Sequence, residues 1–268
     1  MFKIIEKIII KIFSSKYYNF FTDIILHITL KLKGYKNFGT FKETGEEFFF
    51  KILIKNKVKY CLDIGAHNGE YSKRLLDTKK MNVIAFEPME ISFKKLKKLK
   101  KQFPNQFKCF NFALSDRIGF QKIFYTNKNS QLASLSNNLK KINFLKKKKF
   151  NSRKIKIITL DYFVQKNKKI FSKKIDFLKI DTEGNDLKVL KGGVNFIKKY
   201  KPKFIQIEMN YHYLFNGENL YQFKKILLNY EIFKILPFNN GLLKVDVNRP
   251  ENNIFHLSNY VFIKKTNL

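Results

Sequence analysis

The stretch Tyr60-Cys61-Leu62-Asp63-Ile64-Gly65-Ala66-His67-Asn68-Gly69-Glu70-Tyr71 decides how this chain is read. An apolar run from Val58 to Leu62 reaches an acid, breaks at two glycines and passes into Ser72-Lys73-Arg74-Leu75-Leu76, which reads as helix. Strand, tight loop and helix in that order open a nucleotide-binding βαβ unit. Gly65 and Gly69 let the backbone bend and approach a ligand closely, and the free amides of the following helix face a negative group. A second strand, Asn82 to Phe86, ends at Glu87-Pro88, where the proline stops the ladder. An acid about twenty residues past the glycine loop is placed to accept hydrogen bonds from two ribose hydroxyls.

A dinucleotide site would carry a third glycine to seat the helix on the strand. Here the spacing is Asp-x-Gly-x-x-x-Gly, which resembles the first motif of S-adenosylmethionine (SAM) methyltransferases. The ligand's carboxylate would then take the pyrophosphate's place near the helix N-terminus. An empty doubly wound sheet with a glycine turn is the plainer reading. It ranks behind, because Asp63 and Glu87 fall at the carboxyl ends of adjacent strands, where such α/β folds bind ligands.

The length suits one α/β domain with an attached piece, and an apolar fraction of 44% can fill its core. The net charge is +33, and 50 of the 54 basic residues are lysine. Arginine is the side chain favoured for bidentate phosphate and base contacts. The charge therefore reads as lysine-rich composition first and as a polyanion-binding surface second. Cys61 and Cys109 fall on the first and third strands, about 9–10 Å apart with a strand between them, too far for a disulfide. No Cys-x-x-Cys or paired histidines mark a zinc site, so no metal is expected, and a reducing cytoplasm fits.

Residues 1–33 place Phe2, Ile5, Ile9 and Ile12 on one helical face and Lys3, Lys7 and Lys11 on another. The apolar runs are too short for a signal-peptide core, and Asp23 and His27 interrupt the longest of them, which falls short of a span of ~20 residues. Two readings stand: a helix lying on an anionic membrane surface on the cytoplasmic side, or one packed on the domain or on a partner subunit. Residues 1–44 are taken as a helical N-terminal extension and 45–268 as the catalytic domain.

Glu46 to Ile54 reads as a helix whose acids favour its dipole. Ile91 to Lys101 reads as a crossover helix with lysines on its solvated face. A third strand is expected over Phe107 to Leu114. Arg117 to Thr126 and Arg153 to Leu160 alternate in character, as an inserted antiparallel pair does. Between them Asn127 to Asn151 reads equally as a lid over an acceptor or as a connector. Ile175 to Asp181 is a strand followed by a turn with Glu183 and Gly184, then a short helix capped at Gly192. Pro202 to Glu208, Tyr230 to Leu236 and Asn259 to Lys264 supply further strands, and Glu218 to Asn229 a helix.

Asp-Ile-Gly-Ala-x-x-Gly-x-Tyr at 63–71, Phe-Glu-Pro at 86–88, Ala-Leu-Ser-Asp at 113–116, Thr-Leu-Asp at 159–161 and Leu-Lys-Ile-Asp-x-Glu-Gly at 178–184, followed by Val-Leu-Lys-Gly-Gly, resemble the FkbM family of SAM-dependent methyltransferases. The resemblance runs in order from about residue 45 to about 210, and it departs at His67, where the family usually has Asn. It implies a class I, Rossmann-like, doubly wound sheet of seven strands and O-methylation of hydroxyls, often on sugars or polyketides. Mapped onto the motifs, SAM would be held by Asp63, Gly65, His67, Asn68, Gly69, Tyr71, Glu87, Pro88 and Ser115.

A hydroxyl is a poor nucleophile while protonated, so a carboxylate within reach has chemical work to do. Asp181 is the first choice for that base, Glu183 for orienting it or the acceptor, and Glu208 is held in reserve. The bland alternative makes Asp181-Thr182-Glu183 an ordinary helix N-terminus, with Thr182 as cap and Glu183 favoured by the dipole. Three functions follow in order: methyl transfer to a glycan or small-molecule hydroxyl, methyl transfer to RNA, and a membrane- or partner-binding module without turnover.

Overall fold

The computed structural model describes residues 2–126, 133–142 and 145–267. Five parallel strands form the centre: β1 (Tyr60–Ile64), β2 (Asn82–Phe86), β3 (Phe107–Phe110), β7 (Phe177–Ile180) and β8 (Phe204–Met209). β9 (Tyr230–Ile235), β10 (Leu242–Lys244) and β11 (Ser258–Lys264) complete the sheet in the order β10-β9-β11-β8-β7-β1-β2-β3. β11 runs antiparallel to both β8 and β9. The sheet thus has one strand more than the seven expected, because the three residues of β10 fold back on β9 in antiparallel register. The chain winds outward from β1 to β3 and then returns to β7 beside β1, so the strand order reverses between β1 and β7. A crevice opens at such a reversal.

Helices cover both faces. α3 (Glu46–Lys55), α4 (Glu70–Asp77) and α5 (Glu90–Gln102) bury Phe49, Leu53, Leu75, Leu76, Leu96 and Leu99 on one side. α6 (Leu160–Lys166), α7 (Asp186–Lys191), α8 (Val194–Tyr200) and α10 (Leu220–Ile226) bury their apolar stripes on the other. With helices on both faces, the central strands read as continuous apolar runs, as β7 does in burying all four residues. α1 (Phe2–Phe13) and α2 (Asn19–Leu32) precede this body, and the chain first enters its core at Leu30 and Tyr35.

The expected third strand divides. β3 stops at Phe110, and Ala113–Leu114 becomes β4, which joins a small sheet ordered β4-β6-β5 with β5 (Gly119–Tyr125) and β6 (Asn151–Ile158). Asn111 in the gap donates to the carbonyls of Glu87 and Pro88 at 2.9 and 3.1 Å. The break therefore braces the end of β2. β5 and β6 are the expected antiparallel pair, from Gly119 opposite Ile157 to Tyr125 opposite Asn151. Cys61 and Cys109 are both free, with β2 between their strands.

Several motifs prove to be joints of the fold. Thr159 caps α6 through Tyr162 N–H at 3.1 Å, while both oxygens of Asp161 accept the Asn195 and Phe196 amides at the start of α8, at 3.1 and 2.7 Å. Gly192 is not the left-handed cap expected, since its φ is −74°. Its lack of a side chain serves close approach instead, for a Cβ there would lie 2.0 Å from the Ser115 carbonyl oxygen.

Candidate active site

The carboxyl ends of β1, β2, β7 and β8 bring their acids to one edge of the sheet. Two cavities of about 350 and 380 Å³ open there. Both are walled by Gly65, His67, Asp181 and Glu208. Glu87, Pro88, Met89 and Leu114 line the first, and Asp63, Asn68, Tyr71 and Lys179 the second.

The glycine loop is held from two directions. Gly65 has φ +83°, and a Cβ on it would sit 1.8 Å from the Asp181 carbonyl oxygen, so the tips of β1 and β7 touch only because position 65 is bare. Glu87 grips the loop from the other side. It accepts the His67 amide at 2.8 Å on Oε2 and the Met89 amide at 2.7 Å on Oε1. Burial pushes its carboxyl up to about 7 against the pull of those two amides. Each oxygen retains a lone pair for a further donor such as a ribose hydroxyl.

The second cavity holds acceptors that lack donors. Asp63 is buried and takes Ser72 Oγ–H at 2.6 Å on Oδ2, while its Oδ1 and the Oδ1 of Asn68 are buried without hydrogen-bond partners among the described residues. Burial raises the Asp63 pKa, and the Lys179 charge opposes that rise. Two orphaned acceptors on one wall suit the α-ammonium of an amino acid. The residues present suit a nucleoside with an amino-acid tail: Glu87 and Leu114 would lie beside the adenosine, Asp63 and Asn68 beside the amino-acid end.

Lys179 was not singled out by sequence reasoning. It lies within the buried strand Phe177–Ile180, and its ammonium meets Asp181 Oδ2 at 2.8 Å. Period two along a strand puts residues 179 and 181 on one face, and a lysine inside an apolar run was the signal available. Burial alone would lower its pKa, but the charges of Asp181, Asp63 and Glu46 outweigh it and hold the ammonium above the usual lysine range. Glu46 does more than favour a helix dipole. It is bound by Gln206 at 2.7 Å and Thr44 at 3.1 Å, and Gln206 in turn accepts the Tyr71 hydroxyl at 2.8 Å.

Asp181, Glu183 and Glu208 converge, with one oxygen of each lying within 4.8 Å of the others, close enough to share a cation. Their surroundings differ. Asp181 is tied to Lys179. Glu183 sits in left-handed backbone at φ 51°, and its Oε2 accepts Asn210 Nδ2–H at 2.9 Å with His212 Nε2 3.5 Å away. Ser134 donates to its carbonyl at 2.6 Å, and Ala133 and Leu135 join the cavity wall. The described part of the long loop is thus built into the site, while residues 127–132 and 143–144 of that stretch lie outside the described residues. Glu208 makes no side-chain hydrogen bond among the described residues. Burial, together with the charges of Asp181 and Glu183, raises its pKa well above the ordinary range. Glu183 is raised as well, by burial first, with His212 opposing.

The helix-terminus alternative for this turn does not hold. α7 starts after Asn185, and Thr182 caps nothing; its amide donates to Asp186 Oδ1 at 3.1 Å. Two nominated residues stand apart from the cavities. Ser115 is fully buried and hydrogen-bonds Asn185 at 3.2 Å. Gly69 opens α4 at φ +82°, where a Cβ would strike Leu96 at 2.6 Å. Asn210 and His212 were overlooked because only the chain reversal after β8 brings them against Glu183.

A doubly wound sheet with a ribose-type acid, a bare glycine loop and orphaned acceptors at its switch point defines a nucleoside-cofactor site of the SAM-binding kind. The Methyltransferase FkbM domain matches residues 63–232, more than half of the chain. The protein belongs to the FkbM methyltransferase family and is a SAM-dependent methyltransferase. No curated protein sequence matches. Similar solved structures include the METTL16 MTase domain, with a TM-score of 0.46 and 10% identity over 85% of this chain and 70% of that one. The methyltransferase domain of bacterial CtHen1 gives 0.39 and 11% over 83% and 99%. The precorrin-6y C5,15-methyltransferase of Geobacter metallireducens gives 0.39 and 11% over 83% and 87%. Likeness at this level says nothing about the acceptor.

Proposed function

We propose that the protein methylates a hydroxyl of a glycan or other small-molecule acceptor, with Glu208 taking the hydroxyl proton. The observation that carries this reading is the convergence of three carboxylates, with Asp181 and Glu208 on the wall shared by the two cavities and Glu183 on the wall of the first. Bound SAM supplies an electrophilic methyl group on a sulfonium. The chain has to align the acceptor oxygen, exclude water and remove a proton.

Asp181 was the first choice for base, but its Lys179 partner already engages it. Glu183 is occupied by Asn210 and His212, which suits it to positioning. Glu208 makes no side-chain hydrogen bond among the described residues, so its oxygens are open to an acceptor hydroxyl, and the burial that raises its pKa makes it the stronger base once ionised. The same acidic floor disfavours a phosphodiester, whose charge it would repel, so the RNA reading ranks second despite the net charge of +33. Incubating the protein with labelled SAM and separated lipid, polysaccharide and RNA fractions tests the proposal. Label entering RNA alone would refute it.

A further inference from the structure

We propose that residues 2–32 form a docking element for an anionic lipid surface. α1 buries none of its residues. Its apolar side chains, Phe2, Ile4, Ile5, Ile8, Ile9, Ile12 and Phe13, cover about half of the helix circumference at the helical angular spacing of ~100° per residue. Lys3, Lys7 and Lys11 share the opposite half with Glu6 and Ile10. α2 presents a second such face. Phe21, Ile24, Ile25, Ile28 and Leu32 are all exposed, while Leu30 on the far side is buried against the body. Tyr17 and Phe20, 83% and 80% exposed, stand at the junction of the two helices.

Water-exposed apolar faces of this size on both helices call for a cover. A membrane span is excluded by length: 12 and 14 residues reach roughly 18 and 21 Å, against a hydrocarbon core of roughly 30 Å. No helix is long and apolar enough to cross a membrane among the described residues. Charge selects among the remaining occupants. Residues 1–33 hold six lysines against Glu6 and Asp23, and the whole chain carries +33. A second copy would bring the same charge and be repelled, whereas an anionic bilayer attracts it. Lysines around an apolar half-cylinder can bury their stems and keep their ammoniums among headgroups. Phe38, a few residues beyond α2, lines the first cavity, so lipid docking would hold the cavity close to the bilayer along the chain.

The test is co-sedimentation of the full chain with vesicles of phosphatidylcholine, with and without about one third phosphatidylglycerol. Binding to the anionic vesicles that weakens with salt is expected. K3E/K7E/K11E should lower the partition coefficient by about a hundredfold or more, at roughly fivefold per lysine lost. I5D/I9D should abolish binding while leaving SAM affinity unchanged, because neither isoleucine is buried in the body. Equal binding to neutral vesicles, no binding at all, or variants that bind like the wild type would overturn the proposal. So would a dimer seen by ultracentrifugation and lost in I5D/I9D without vesicle binding, which would assign the face to a second copy.

Discussion

Replacing Lys179 by Met should cost about 3 kcal/mol of stability at pH 8, within the range for removing one partner of a buried ion pair. Methionine keeps the length and apolar stem, so packing between β1 and β8 is preserved and charge is what is lost. The Lys179 side chain is only 8% exposed, whereas Asp181 is 30% exposed and can recover some hydration. Asp63 and Glu46 cannot, because burial already raises both and the Lys179 charge is what opposes that rise. Without Lys179 their folded pKa values climb further above the unfolded values of about 4. The folded variant then binds more protons than its unfolded chain, so its stability falls as pH rises through that window. In the wild type the raised Lys179 contributes fully below the unfolded lysine value of about 10.4 and adds no slope between pH 5 and 8. The deficit should therefore be clearly larger at pH 8 than at pH 5. Urea denaturation of both proteins at the two pH values, followed by circular dichroism, measures it. A deficit below about 1 kcal/mol, or one equal at both pH values, would refute the view that Lys179 neutralises this acid cluster.

Glu87→Gln keeps the size of the side chain but loses the charge, and its single amide oxygen can accept only one of the His67 and Met89 amides; SAM binding should weaken by one to two orders of magnitude, or ~1.5–3 kcal/mol, by calorimetry. Because the free carboxyl is poised near 7, wild-type SAM affinity should rise between pH 6 and 8 and that rise should vanish in Glu87→Gln. Glu208→Gln should bind SAM within a few-fold of wild type while turnover drops by ~10²–10⁴ in the labelled-fraction assay; near-normal turnover would return the role to Asp181 or Glu183. Gly65→Ala places a methyl group 1.8 Å from the Asp181 carbonyl at φ +83°, so loss of SAM binding together with a lowered melting temperature is expected. Asp161→Ala leaves two α8 amides without their acceptor and should cost ~1–2 kcal/mol by urea denaturation, with SAM affinity unchanged.

The doubly wound sheet, the glycine loop and the acids at the strand ends were all legible in the chain, because each depends on local rules. Strand period, glycine freedom and the polarity of a helix start act over a few residues, and 63–71, 86–88 and 178–184 carry them intact. What each acid does depends on neighbours that are distant in sequence. Asp181 stands out in the sequence as a base from its place at a strand end, but that its Oδ2 meets the Lys179 ammonium at 2.8 Å is visible only in the fold, and that contact is why Glu208 is proposed instead. Ser115 and Gly192 belong to conspicuous motifs, but they meet in a tight joint behind the cavity, which a linear pattern does not separate from a contact with ligand. Asn210 and His212 enter the site only where the chain turns after β8 and packs on Glu183. Local backbone preference set the elements, while burial and charge pairing across the switch point, both properties of the folded chain, assigned the side chains their chemistry.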